Sequence, residues 1–343
     1  MIIPSSFAIH VTYTCPLTCA HCCFLSSPAN ADRLPIDHIL ETIQQLDTNS
    51  IKLISFTGGE PFLLGAKLVD LVHLASQRGL STRIVTSAYF AKRPEVAKSR
   101  IQILKDAGLK EITISWDDFH EEFVDFECVA NLHRIATQLG IFVYINMVQG
   151  ANPRWTAEKV AAELGIPASI EFIADSPLNL TGRAELKLKE AGFHPDNQKF
   201  LGPCPYILTG PTLSAKNKLL ACCGVIPETQ ELILDEDFRP ENLTMDLHQA
   251  VENPLYNWLY LRGPYQILEW ISQRFDIAIP AKQEISGNCE ACRLLFHSGI
   301  RDKIPEALQE MNENIMKELV LMESLGLLRK NYISKFWSDS LIG

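Results

Sequence analysis

Ile9-His-Val-Thr-Tyr13 alternates in polarity as a half-buried strand does, and two residues later it becomes Cys15-Pro-Leu-Thr-Cys19-Ala-His-Cys22. Thiolates are soft ligands that select iron–sulfur clusters, zinc or copper(I). A closed structural site normally takes four protein ligands, and this motif supplies three. Three thiolates at this spacing can hold three corners of an iron–sulfur cube and leave the fourth open to a small molecule. Cys23 follows directly, poorly placed for the opposite corner, and reads as a neighbour. Buried free thiols or half of a zinc site are the competing readings of the motif alone.

A second signal decides between them. Ile51-Lys-Leu-Ile-Ser-Phe56 runs straight into Thr57-Gly58-Gly59-Glu60-Pro61. Two glycines closing a strand let backbone come close to a ligand, and a carboxylate beside them is an acceptor for an ammonium group. Taken together, the CxxxCxxC and GGEP motifs resemble those of the radical S-adenosylmethionine (SAM) superfamily. The resemblance implies a 4Fe-4S cluster on Cys15, Cys19 and Cys22, with SAM chelating the open iron. Gly58, Gly59, Glu60 and Pro61 would then lie beside the SAM amino group.

The first half of the chain alternates strand and helix patterns. Strands are expected at 9–13, 51–56, 82–87, 111–116, 141–146 and 169–174, with helices near 36–46, 66–78, 96–107, 126–139 and 157–164. Such repeats favour a parallel sheet with right-handed crossovers, here an α/β fold with a partial (β/α)6 barrel over residues 1–185. Polar residues collect at the carboxyl ends of the strands, where barrel active sites lie. Ser87, Ser115, Asp117 and Asn146 stand there, and the superfamily resemblance places them against SAM, with Asp117 on the ribose and Ser87 near the carboxylate. Arg183, after the sixth strand, is a further candidate for the SAM carboxylate. Serine and aspartate at these positions also serve as helix caps.

From about Glu185 the alternation stops and cysteines return as Cys204, Cys222-Cys223 and the knuckle Cys289-Glu-Ala-Cys292. Cys204, Cys222, Cys289 and Cys292 make a four-ligand set for a cluster or for zinc, leaving Cys223 free; Cys222 and Cys223 can exchange these roles. The arrangement looks like the twitch/SPASM extensions of peptide-modifying radical SAM enzymes, which implies one auxiliary 4Fe-4S cluster in residues 186–300. Residues 301–343 form the tail, where Ile304, Leu308, Met311, Ile315, Leu319 and Met322 have the spacing of a packed helix. Cys128 reads as a core thiol.

The resemblance narrows to radical SAM peptide epimerases of the YydG type. It rests on the CxxxCxxCC opening with Phe24, Ile54-Ser-Phe-Thr-Gly-Gly-Glu60, Thr113-Ile-Ser-Trp-Asp-Asp-Phe-His120, the Cys222-Cys223 pair and Cys289-Glu-Ala-Cys292-Arg-Leu-Leu-Phe296. It implies abstraction of a backbone α-hydrogen by a 5'-deoxyadenosyl radical and return of hydrogen to the opposite face by Cys223. His120 is a candidate for substrate or SAM contact. Thioether or carbon–carbon cross-linking of a peptide, or dehydrogenation, is the nearest alternative and needs no thiol donor. A non-catalytic metal-binding scaffold is the alternative of another class.

Composition sets the remaining bounds. A length of 343 residues suggests about two domains, and 47% hydrophobic residues are ample for buried cores. A net charge of -10 argues against general nucleic-acid binding. No apolar run is long enough for a bilayer and no signal peptide is apparent, so a cytoplasmic protein is expected. Ten cysteines in that compartment favour metal ligation over disulfides. The implied partners are a ribosomally synthesised precursor peptide and a flavodoxin- or ferredoxin-like electron donor. With the first strand so near residue 1, leader recognition is expected to fall to this body or to a partner protein.

Overall fold

A computed structural model describes residues 4–150, 152–188, 201–223, 229–297 and 299–328. The first half is built as β1 (Ser6–Thr12), α1 (Ile36–Gln45), β2 (Leu53–Gly58), α2 (Ala66–Gln77), β3 (Ser81–Thr86) and α3 (Pro94–Asp106). It continues with β4 (Glu111–Ser115), α4 (Asp118–Glu121), α5 (Phe126–Gln138), β5 (Phe142–Gln149), α6 (Ala157–Leu164), β6 (Ile173–Pro177) and α7 (Arg183–Lys187). Strands β1 to β6 are parallel and neighbour one another in chain order, as the alternating pattern predicts for a partial barrel.

Period-two and period-three-to-four apolar patterns mesh to make the core. Ile9, Ile54, Ile84, Ile112 and Ile145 stand on the helix side of five adjacent strands and are fully buried. They meet helical stripes such as Ile39 and Ile43 on α1 and Leu68, Leu71, Val72 and Ala75 on α2. Each such side chain contributes about 1.5–3 kcal/mol on burial. Helix ends follow local chemistry: Pro94 opens α3, the Thr156 side chain accepts from Lys159 N–H at the start of α6, and Gly165 ends it in the left-handed region.

The sixth strand differs from expectation. Residues 169–172 turn instead of extending, with Phe172 and Ile173 N–H both donating to the Ser169 carbonyl, and β6 starts at Ile173. The β-favouring Ile170 is left 72% exposed, so tertiary pairing overrode local propensity.

Beyond the barrel, β7 (Thr212–Leu213), β8 (Leu219–Leu220) and β9 (Ile233–Asp235) extend the same sheet. β7 pairs parallel with β1, while β8 and β9 run antiparallel. This continuation was not legible as a pattern, because two-residue strands carry no periodicity. A second apolar core forms around α8 (Leu243–Glu252), α9 (Pro254–Arg262), α10 (Pro264–Phe275), α11 (Asn288–Leu295) and α12 (Ile304–Ser324), with Leu259, Ile267, Leu268, Ile271 and Leu295 at its centre. The tail helix buries Ile304, Ile315 and Leu319 on this core, with Leu308, Met311 and Met322 packed at its edge. Among the described residues no helix is long and apolar enough to cross a membrane.

Candidate active site

The loop after β1 is held by backbone rather than by its thiols. Cys15 N–H donates to the Ser27 carbonyl, Thr14 Oγ1 to Asn30 and Cys22 N–H to Cys19. The Gly-Gly-Glu turn after β2 packs directly against it. Gly59 N–H donates to the Thr12 carbonyl at 2.6 Å and Glu60 N–H to Thr14 at 3.0 Å. A Cβ on Gly59 would overlap the Thr14 carbonyl, and Gly58 has φ +109° with the Thr12 carbonyl against it. The glycines therefore admit the cysteine loop's own backbone, a contact the sequence reading reserved for a ligand.

Glu60, expected to accept an ammonium group, is fully buried. Its carboxylate accepts from Thr86 Oγ1 at 2.8 Å, Ser87 Oγ at 2.8 Å, Ser87 N–H at 3.1 Å and Phe62 N–H at 3.2 Å. Burial raises its pKa against the pull of these donors. Glu60 and Ser87, given separate roles in the sequence, thus form one unit that ties β2 to β3. Pro61 opens the short turn that follows and is buried. Ser115 and Asn146 pair across β4 and β5 and are half-buried.

Asp117 is 1% exposed, and its oxygens are already in use. Oδ1 accepts from Phe119 and His120 N–H and, at 2.8 Å, from His120 Nδ1; Oδ2 accepts from Val148 N–H at 3.2 Å. Through these bonds Asp117 caps α4 and ties it to β5. Burial pushes the Asp117 carboxyl up, but His120, His21 and the Val148 N–H outweigh it and hold it down at about 2. His21 lies 3.8 Å from Oδ2, yet burial lowers its imidazole to about 4, so it is neutral near pH 7. Asp117→Asn is expected to cost about 2–4 kcal/mol, because it breaks a buried, hydrogen-bonded charge. The wild-type contribution is present above the unfolded carboxyl value of 3.8 and lost as pH falls toward about 2. Urea titrations at pH 7 and pH 3 test this: the gap between the two proteins should shrink at the lower pH.

Arg183 is 8% exposed and does not point into open space. Nη1 donates to the Cys19 carbonyl at 2.8 Å and Nη2 to the Ser26 carbonyl at 2.6 Å, while its backbone N–H reaches the Cys22 carbonyl. Arg183 thus sits on the cysteine loop. His10 escaped the sequence reading. It is fully buried on β1, pairs through Nδ1 with Tyr13 Oη at 3.0 Å and sits 4.3 Å from the Phe24 ring. Burial drives its imidazole down to about 3, opposed by the backbone of Cys223. A histidine at an inward position of the first strand was the available signal.

The second cysteine group comes together from three segments. Cys204, Cys222, Cys223, Cys289 and Cys292 line one small pocket together with Tyr206. Burial pushes the Cys204 thiol up to about 11, with Cys223 adding to the rise, and raises Cys289 and Cys292 further, with Cys204 and Cys223 adding in each case. Cys23 also rises through burial and then through Cys22 and Cys223, which links the two cysteine groups. Cys222 faces the apolar core and adds to the raised pKa of Tyr256. Cys128 is buried in the barrel core on α5.

Four thiolates around one zinc at about 2.3 Å lie within about 4 Å of one another. Among the described residues, the only group of three ligand atoms within 4.8 Å is His21, Asp117 and His120, in which His120 and Asp117 are hydrogen-bonded and His21 lies 3.8 Å from Asp117. Among the described residues, neither cysteine set brings three sulfurs within 4.8 Å of one another.

Residues 9–154 match the Radical SAM superfamily, so this part of the chain is a radical SAM domain. The cofactors of that class, a 4Fe-4S cluster and SAM, fit the open three-thiolate loop described above. The particular relatives are peptide biosynthesis protein YydG of Bacillus subtilis strain 168, 24% identical over 189 residues, and a PqqA peptide cyclase of Bradyrhizobium diazoefficiens, 34% identical over 127 residues. These matches span 54% and 36% of this chain but 59% and 31% of the relatives, less than two thirds of either. Streptococcus suis SuiB bound to precursor peptide SuiA is similar in fold, with a TM-score of 0.55 at 16% identity over 76% of this chain and 67% of that one.

Proposed function

We propose that this protein is a radical SAM maturase of ribosomally made peptides and that its reaction inverts an L-residue, with Cys223 returning the hydrogen. The observation that carries the reading is the position of Cys223 between the two cysteine groups. It lines one pocket with Cys204, Cys289 and Cys292 of the second group, and its influence extends to Cys23 beside the first loop. When bound, the first cluster and SAM supply a 5'-deoxyadenosyl radical that removes a hydrogen atom from the peptide. Cys15, Cys19 and Cys22 hold that cluster in this reading. Cys204, Cys222, Cys289 and Cys292 hold an auxiliary 4Fe-4S cluster. A thiol at 223 can deliver hydrogen, because its sulfur–hydrogen bond is weak. A precursor peptide is the substrate, and a flavodoxin- or ferredoxin-like protein the electron donor.

A specific observation also favours the exchange of Cys222 and Cys223. Cys223 lines the same pocket as Cys204, Cys289 and Cys292 and acts on all three, which makes it a candidate fourth ligand. Anaerobic turnover of a candidate precursor peptide in deuterated water separates the readings. Cys223→Ala should retain full iron and SAM cleavage yet yield no D-residue and no deuterium at the α-carbon. Loss of iron from the second group in Cys223→Ala would instead make it the ligand. A product lacking two hydrogens, formed equally by wild type and Cys223→Ala, would replace epimerisation with cross-linking or dehydrogenation.

A further inference from the structure

A buried guanidinium costs several kcal/mol unless an opposite charge compensates it. Among the described residues no carboxylate pairs with Arg183. Its partners are two carbonyls, of Cys19 and Ser26, seven residues apart on the cysteine loop. The chain is built to hold the side chain there. Gly182 has φ +58°, and a Cβ on it would meet the carbonyls of Cys22 and Cys23 at 2.7 and 2.5 Å. Leu180 N–H is fixed by Ser286 Oγ at 2.8 Å, and Ser286 N–H by buried Glu290. The strap from Leu180 to Arg183 is therefore anchored at one end beside the Cys289 knuckle and at the other on the first loop. The missing negative charge lies on that loop: three thiolates carrying a cluster are anionic, and Cys19, whose carbonyl Arg183 Nη1 reaches, is one of the three ligands.

We propose that Arg183 is a positioning residue for the first cluster, clamping the Cys19–Ser26 loop through two carbonyls and supplying the buried counter-charge to its thiolates. A cation close to the cluster favours the reduced, more negative state. Removing it should shift the reduction potential of this cluster downward. The proposal rests on the cluster assignment to Cys15, Cys19 and Cys22.

The test is a redox titration of the reconstituted full chain followed by electron paramagnetic resonance, with the first cluster recognised by the change in its signal on adding SAM. Arg183→Met should load less iron at the first site and show a lower potential there, with the second group unchanged. Arg183→Lys keeps the charge but cannot span both carbonyls, so it should restore much of the potential while loading stays reduced. Arg183→Gln provides the neutral variant should methionine prevent folding. Wild-type loading and potential in the neutral variants would overturn the proposal. So would an unchanged potential with weakened SAM binding, which would return Arg183 to the SAM carboxylate. A wild-type chain with no cluster on the first loop would overturn the cofactor assignment as well.

Discussion

A chain carrying Cys15→Ala, Cys19→Ala and Cys22→Ala is expected to fold, to keep the iron of its second cysteine group and to form no 5'-deoxyadenosine from SAM. The loop does not depend on its sulfurs for shape. Its turns are closed by backbone bonds from Cys15 to Ser27 and from Cys22 to Cys19, and by the Arg183 bonds to Cys19 and Ser26. Of the three, Cys19 is the one most buried, at 6% exposure, so truncation to alanine costs about 1 kcal/mol there and less at the other two. The functional loss should be complete, because the loop then offers no ligand; in the wild type, burial holds the Cys15 and Cys19 thiols protonated until metal arrives. Cys15 is pushed up to about 12 and Cys19 higher. Cluster binding has to displace those protons, and alanine has none to displace and no ligand to offer. Iron analysis, circular dichroism and chromatographic assay of 5'-deoxyadenosine on the same sample check all three parts. SAM cleavage that survives the triple exchange would place the reactive cluster elsewhere.

The second large effect is predicted at Gly59. Alanine there puts a methyl group onto the Thr14 carbonyl, in a turn where Gly59 N–H already donates to Thr12 at 2.6 Å. Neither strand can retreat, since β1 and β2 are paired along their length and both lie in the barrel core. A cost of about 3 kcal/mol follows for overpacking of this kind. That corresponds to a fall in melting temperature of roughly 6–12 °C for a domain of this size. Gly65→Ala is the internal control. Gly65 has φ +58° and ψ −128°, but nothing lies within 4 Å of its added Cβ, so the change costs backbone strain alone, about 1–3 kcal/mol, and displaces no neighbour. Thermal unfolding of the two variants side by side measures the difference. Equal mildness would mean that the β1–β2 turn is looser than its hydrogen bonds indicate. Because the displaced carbonyl belongs to the cysteine loop, Gly59→Ala should also load less iron at the first site than Gly65→Ala.

Much of the barrel was readable in the sequence, because its signals are local. Strand periodicity in Ile51–Phe56 and helical stripes such as Ile39/Ile43 depend on residues two to four apart, and packing then obeyed them. The last strand was misplaced because Ile170 and Phe172 have strand-forming side chains that tertiary pairing did not use. β7 to β9 were invisible for the opposite reason: strands of two or three residues exist only through what they pair with.

At the site the division is between ligand chemistry and orientation. Sequence alone determined the class of chemistry, since thiol spacing at Cys15, Cys19 and Cys22 and the Gly58-Gly59-Glu60 turn are covalent properties of the chain. Where the polar side chains point was decided only by tertiary structure. Glu60 and Ser87 became partners, Asp117 turned to His120 and Val148, and Arg183 crossed 164 residues of sequence to reach Cys19. A buried charge takes whatever hydrogen-bonding partners the folded chain brings within reach, because leaving it unpaired costs more than almost any local preference.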